Sequence, residues 1–195
     1  MIFRIDKAVL ESMHLLKAAP KAEWRTQLTG IIFEKDGTIW AGNGHVALVA
    51  RTGKEFEEEM ALDIDKTPAA GKKYQFAIID TAQGTCSYIP PFEGIESATD
   101  EECIAHRLAM SVVKIISSNR IIKLSNPIPP KPEAVKEVVF DADYLALLPK
   151  VADLFSKQEG GKFAFSLTGS NTAALVKVRA GQSFKLTFIL MPIVV

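Results

Sequence analysis

Cysteine is nearly absent: Cys86 and Cys103 are the only two in 195 residues, far apart and outside any CxxC pair. That usage excludes a disulfide framework and points to a reducing, cytoplasmic setting. Net charge is absent as well, since 23 Lys plus Arg balance 23 Asp plus Glu. No chain-wide field therefore draws the protein to nucleic acid or membrane, and any DNA contact has to come from local placement. No apolar run approaches the roughly eighteen residues that a membrane-spanning helix needs. The start, "MIFRIDKAVL", lacks the positive-then-apolar design of a secretory signal. Nothing resembles a phosphate loop or GxGxxG, so no nucleotide or other cofactor is expected.

What is present is a repeating order of elements. "IFRIDKAVLESMHLLKAAPK" predicts a short strand and then a helix opened by Asp6 and stopped by Pro20. Val9, Met13 and Leu16 fall on one face of that helix, with Lys7, Glu11 and His14 opposite. Asp36-Gly37 between two apolar runs predicts a hairpin that leads into a glycine loop, Gly42 to Gly44, with positive-φ turns at both glycines. "EFEEEMALDID" and "YQFAIIDTAQGTCSYIP" add strands, the latter turning at Gln83-Gly84, and "EFEEE" reads as a solvated face. "PPFEGIESATD" mixes breakers and acids without periodicity, which places a boundary near residue 95 between units 1–95 and 96–195.

Thr99 and Glu102 then form a capping box ahead of a predicted helix whose Ile104, Leu108, Val112 and Ile115 share a face, with Arg107, Ser111, Lys114 and Ser118 opposite. "RIIKLSNPIPPKPEAVKE" reads as a strand and an exposed proline-rich connection. "VVFDADYLALLPKVADLF" reads as strand then helix, with Pro149 kinking or splitting that helix. "KFAFSLTGSNTAALVKV" and "FKLTFILMPIVV" supply three closing strands. The class is α+β with a strand-rich framework.

These residues resemble a known family, the bacterial sliding clamps, the beta subunit of DNA polymerase III. "LTGIIFEKDGTIWAGNGHVALVA" resembles that clamp's middle domain, and "VFDADYLALL" with "FSLTG" is similar to its last domain. The ending "MPIVV" matches the family's own ending in form and position. The resemblance covers roughly residues 1 to 53 and 138 to 195. It departs at Gly42 and Val46, where the family carries threonine and arginine. It implies a DNA-clamp-like fold of two domains, resembling the family's middle and C-terminal domains, with no catalysis.

It further implies a hydrophobic pocket that grips linear motifs of DNA polymerases and clamp loaders. The pocket would be formed by Gly42, Gly44, His45, Ala47, Ile189, Leu190, Met191, Pro192, Ile193 and Val195. Met191 suits such a site because its side chain adapts to more than one occupant. The competing expectation is that "FILMPIVV" is simply the last core strand. In a clamp, helices show DNA a positive face without base contacts. The candidates here are Lys7, Lys17, Lys21, Arg107, Lys114, Lys150 and Lys157, diluted by Glu11, Asp143 and Asp153. Ordinary solvated lysines are the alternative.

Cys103 with His106 has a metal-like spacing but no second pair, so no metal is assigned. A family ring of six similar domains would take three two-domain chains, so a homotrimer or a monomer is expected. Two rivals stay open: a clamp-fold interaction module that neither closes a ring nor binds DNA, and an enzyme using His45 with Asp36 or Asp80.

Overall fold

The computed structural model describes residues 1–18, 28–116, 138–155, 162–167, 169, 172–179 and 185–193. The chain runs β1 (Ile2–Asp6), α1 (Lys7–Leu16), β2 (Ile31–Phe33), β3 (Thr38–Gly42), β4 (Val46–Arg51), β5 (Met60–Ile64), β6 (Phe76–Asp80) and β7 (Thr85–Ile89). It continues with α2 (Asp100–Ala105), β8 (Ala109–Ile115), α3 (Ala142–Leu145), α4 (Leu147–Phe155), β9 (Lys162–Ser166), β10 (Ala174–Arg179) and β11 (Lys185–Leu190). The strands form an antiparallel sheet of eleven in the order β1-β6-β7-β8-β5-β2-β3-β4-β11-β10-β9.

Helices α1 and α4 pack on each other, and α1 also lies on β3 and β4. Val9, Leu10, Met13 and Leu16 of α1 join Leu148, Val151 and Ala152 of α4 in one buried cluster that reaches from Ile5 to Leu190. Both helices thus put their apolar stripe against the same face of the sheet. Phe3, Phe33 and Phe56 meet edge-to-face with centroids 5.2 to 5.4 Å apart, tying β1 to β2. A second cluster, with Ile32, Trp40, Val49 and Ile189, occupies the opposite face. Residue 95 lies in a third cluster, where Ile95 and Cys103 cover Phe76 and Ile78.

The local signals mostly give the elements expected of them. Gly37 turns the β2–β3 hairpin with φ 81°, and Gly84 ends the β6–β7 turn with φ 64°. Thr99 and Glu102 form the reciprocal capping box in front of α2. Asp6 sits at the cap position of α1 without a side-chain capping bond. The expected helix over "LLPKVADLF" is split from α3 at Ala146, and Pro149 falls in the first turn of α4, where its missing N–H has no intrahelical role. Residues 138–140 are not a strand, although the Val139 carbonyl accepts a hydrogen bond from the Ile193 N–H at 2.8 Å.

The long middle helix is the main correction. Helix α2 stops at Ala105, and residues 109–115 are instead β8, paired with β7 on one side and β5 on the other. Val112, Val113 and Ile115 are β-branched, and two neighbouring strands satisfy this segment's backbone, which outweighs a helical spacing of apolar residues. Arg107, Ser111 and Lys114 therefore share no helix face. Pro20 and the proline-rich connection lie outside the described residues.

Candidate functional site: the GNGH turn and the tail

The β3–β4 turn is built by its own sequence. The Asn43 Oδ1 accepts the N–H groups of His45 at 3.0 Å and of Val46 at 3.1 Å. Gly44 takes φ 94°, a conformation that a side chain disfavours. Gly42 does not turn; it is a strand residue, and its need is space. A Cβ there would stand 2.7 Å from the Val46 carbonyl oxygen and 2.8 Å from the Ala47 Cβ. His45 is left exposed at the tip.

Strand β4 then pairs with β11, with Ala47 opposite Ile189 and Val46 opposite Leu190. The Met191 N–H donates to the His45 carbonyl at 2.8 Å, which carries the pairing past the end of β11. Two residues on, Ile193 bonds to Val139, and α3 follows directly, capped by Asp141 accepting from the Asp143 N–H at 2.8 Å. From α3 the Tyr144 ring stacks on His45, centroids 5.7 Å apart and planes 11° from parallel. Turn, tail and the 139–144 segment thus meet at one place on the surface.

Exposure divides the expected pocket residues. Ile189 and Leu190 are buried in different clusters, so they hold the strand in the core. Met191 is 40% exposed and Ile193 45%, with Val139 at 39% beside them. The stretch "FILMPIVV" divides: Phe188 to Leu190 are core strand, as one expectation has it, and Met191 and Ile193 are exposed apolar side chains. Val195 lies outside the described residues. Tyr144 and Val139 were not singled out from the sequence. The available signal was the aromatic placed just inside the Asp141 cap in "VVFDADYLALL".

The expected DNA-facing cations are scattered. Lys17 Nζ is 3.0 Å from both the Asp63 carboxylate and the Ile64 carbonyl, and its side chain is only 13% exposed. Lys7 Nζ donates to the Lys72 carbonyl at 2.6 Å and lies 5.1 Å from the Tyr74 ring centre. Arg107 donates to the Ile104 carbonyl at 3.2 Å, just past α2. Lys114 lies on β8 opposite Asp63, and Lys150 is exposed on α4. Lys21 and Lys157 are outside the described residues.

The other titratable candidates have structural roles. Cys103 is buried and accepts from Arg4, whose guanidinium also pairs with Asp100 at 2.7 Å, while His106 stacks on Phe92 at 4.3 Å. Burial pushes the Cys86 thiol up to about 11. His14, in the last turn of α1, has both ring nitrogens buried without a partner among the described residues. Burial first, then the charges of Lys17 and Lys66, hold its pKa down to about 4, with Asp63 acting the other way.

Comparison with solved structures gives a consistent neighbour. The DNA polymerase III beta subunit of Pseudomonas aeruginosa matches with TM-score 0.57 at 11% identity, and the sliding clamp of Bartonella birtlesii bound to griselimycin with 0.56 at 12%. The beta subunit from Thermotoga maritima matches with 0.52 at 13%. The fold is that of the bacterial sliding clamps. Each comparison covers 100% of this chain and 66 to 67% of the clamp chain, so the clamp-fold chain described here spans about two thirds of its neighbours' length. No protein-family model and no curated protein matches the sequence. Among the described residues no helix is long and apolar enough to cross a membrane.

Proposed function

We propose that this clamp-fold chain is a non-enzymatic accessory factor of DNA replication that grips short linear motifs of polymerases or clamp loaders at the GNGH turn and the tail. One observation carries the proposal: the Met191–His45 backbone bond brings the tail against the turn, beside the Tyr144 ring, on a fold shared with sliding clamps. Met191, Ile193 and Val139 offer apolar contact, and His45 with Tyr144 offers a flat aromatic wall. Burying a leucine or phenylalanine there contributes about 1.5 to 3 kcal/mol per side chain before ordering costs, so two anchors give a weak, exchangeable grip. The His45 backbone is bonded to Asn43 and Met191 and its ring stacks on Tyr144, a setting that suits a wall of the groove. Duplex DNA is the second partner, held weakly and without sequence preference.

The test is a peptide carrying a glutamine, leucine, phenylalanine motif. It is expected to bind in the micromolar range or weaker. Removing residues 191–195 is expected to abolish binding while leaving a cooperative melt. Equal binding by the truncated chain would overturn the assignment, and sedimentation would separate a trimeric ring from a monomer.

A further inference from the structure

The segment between β5 and β6 carries three exposed lysines, Lys66, Lys72 and Lys73, none of which belongs to a helix. It is strapped along α1. The Glu11 Oε1 accepts the Thr67 and Tyr74 hydroxyls, each at 3.1 Å, and the Lys72 carbonyl accepts from Lys7 at 2.6 Å. A 3-10 turn at Ala69–Gly71 and a bond from the Tyr74 N–H to the Gly71 carbonyl at 3.1 Å stiffen its middle. Tyr74 itself is buried edge-to-face on Tyr88, 5.0 Å away. The lysines are therefore held on a fixed strap instead of a loose loop.

The strap runs antiparallel to α1. Lys72 sits at the helix start beside Lys7, and Lys66 is near enough to His14 for its charge to act on that ring. Lys7 and His14 are seven residues apart on the helix, about 10 Å at 1.5 Å per residue. Lys72 and Lys66 thus lie toward opposite ends of a length that spans about three phosphates of one strand, at about 3.4 Å of axis each. Against them stand two carboxylates, Glu11, whose Oε1 accepts both hydroxyls, and the exposed Asp65, so the strap's three lysines and Lys7 outnumber the acids beside them.

We propose that this strap is the surface that meets the phosphate backbone of duplex DNA. It adds to the helix cation Lys7 and stands in for Lys17, which is committed to Asp63. The inference rests on the DNA half of the proposed function and is independent of the motif pocket. Contacts of this kind carry no sequence information, as a sliding partner requires.

The experiment is binding of a fluorescent 20-base-pair duplex across a salt series, from about 20 mM upward, with the intact chain. Each phosphate contact adds about 0.9 to the slope of log affinity against log salt. Reversing Lys66, Lys72 and Lys73 to Glu is expected to lower that slope by about 2 to 3 and to weaken low-salt binding at least tenfold. Lys150→Glu is expected to change it less than threefold. The neutral variant with Gln at 66, 72 and 73 should fall between, and all variants should keep the parent's motif-peptide affinity, which separates loss of the strap from loss of the fold or the pocket. The proposal is overturned if the parent shows no binding at 20 mM salt, if the triple reversal binds like the parent, or if Lys150→Glu costs as much.

Discussion

At the turn and tail, backbone hydrogen bonds and one ring stack join three segments, and the side chains left facing solvent are Met191, Ile193, Val139 and His45. Beside α1 the strap exposes Lys66, Lys72 and Lys73, and a buried tyrosine and the Glu11 carboxylate hold it in place. The first surface suits a partner that brings its own apolar side chains. The second suits a partner that brings only charge. The contrast teaches that a chain of zero net charge can still separate the two roles, because placement and not composition sets the local field.

The largest effect that would sharpen the contrast lies beneath the tail. Phe188 is fully buried on β11, three to five residues ahead of the exposed apolar surface. Phe188→Ala is expected to cost about 3 to 5 kcal/mol by denaturant unfolding, whereas Ile193→Ser should stay within about 0.5 kcal/mol. Similar costs at both positions would mean that the tail is core to its end.

Second comes acid. His14 titrates near 4 when folded against 6.5 when free, so its contribution is fully present above pH 6.5 and is lost as pH falls toward 4. The folded state binds fewer protons across that window, which makes stability fall by about 3 kcal/mol. His14→Leu should flatten that limb of the pH profile, and an unchanged limb would place the ring in water. Smaller still, Gly44→Ala forces a side chain into φ 94° and is expected to cost about 1 to 2 kcal/mol in a thermal or chemical melt. A neutral Gly44→Ala would show that the turn can relax.

The sequence exposed what is local. Asp36-Gly37, Gly84 and the Thr99–Glu102 box act within a few residues, so their turns and cap were readable in one dimension. The clamp-like α+β class came from the order of such elements together with the resemblance. Residues 109–115 depart from the expected helix because Leu108, Val112 and Ile115 fit a helical spacing while the β-branched Val112, Val113 and Ile115 suit a strand as well. Pairing with β5 and β7, made by distant residues, decided between them. The site shows the same limit. Turn and tail were linked only through the family resemblance, and the Tyr144 stack and the Lys17–Asp63 pair join residues too far apart for any pattern to reveal.

The most direct measurement is amide chemical-shift mapping of the motif peptide on the intact chain. Saturable shifts are expected at His45, Tyr144, Met191 and Ile193, with Lys66, Lys72 and Lys73 unmoved. Shifts centred on the strap or on α4, or no saturation at hundreds of micromolar peptide, would contradict the turn-and-tail assignment.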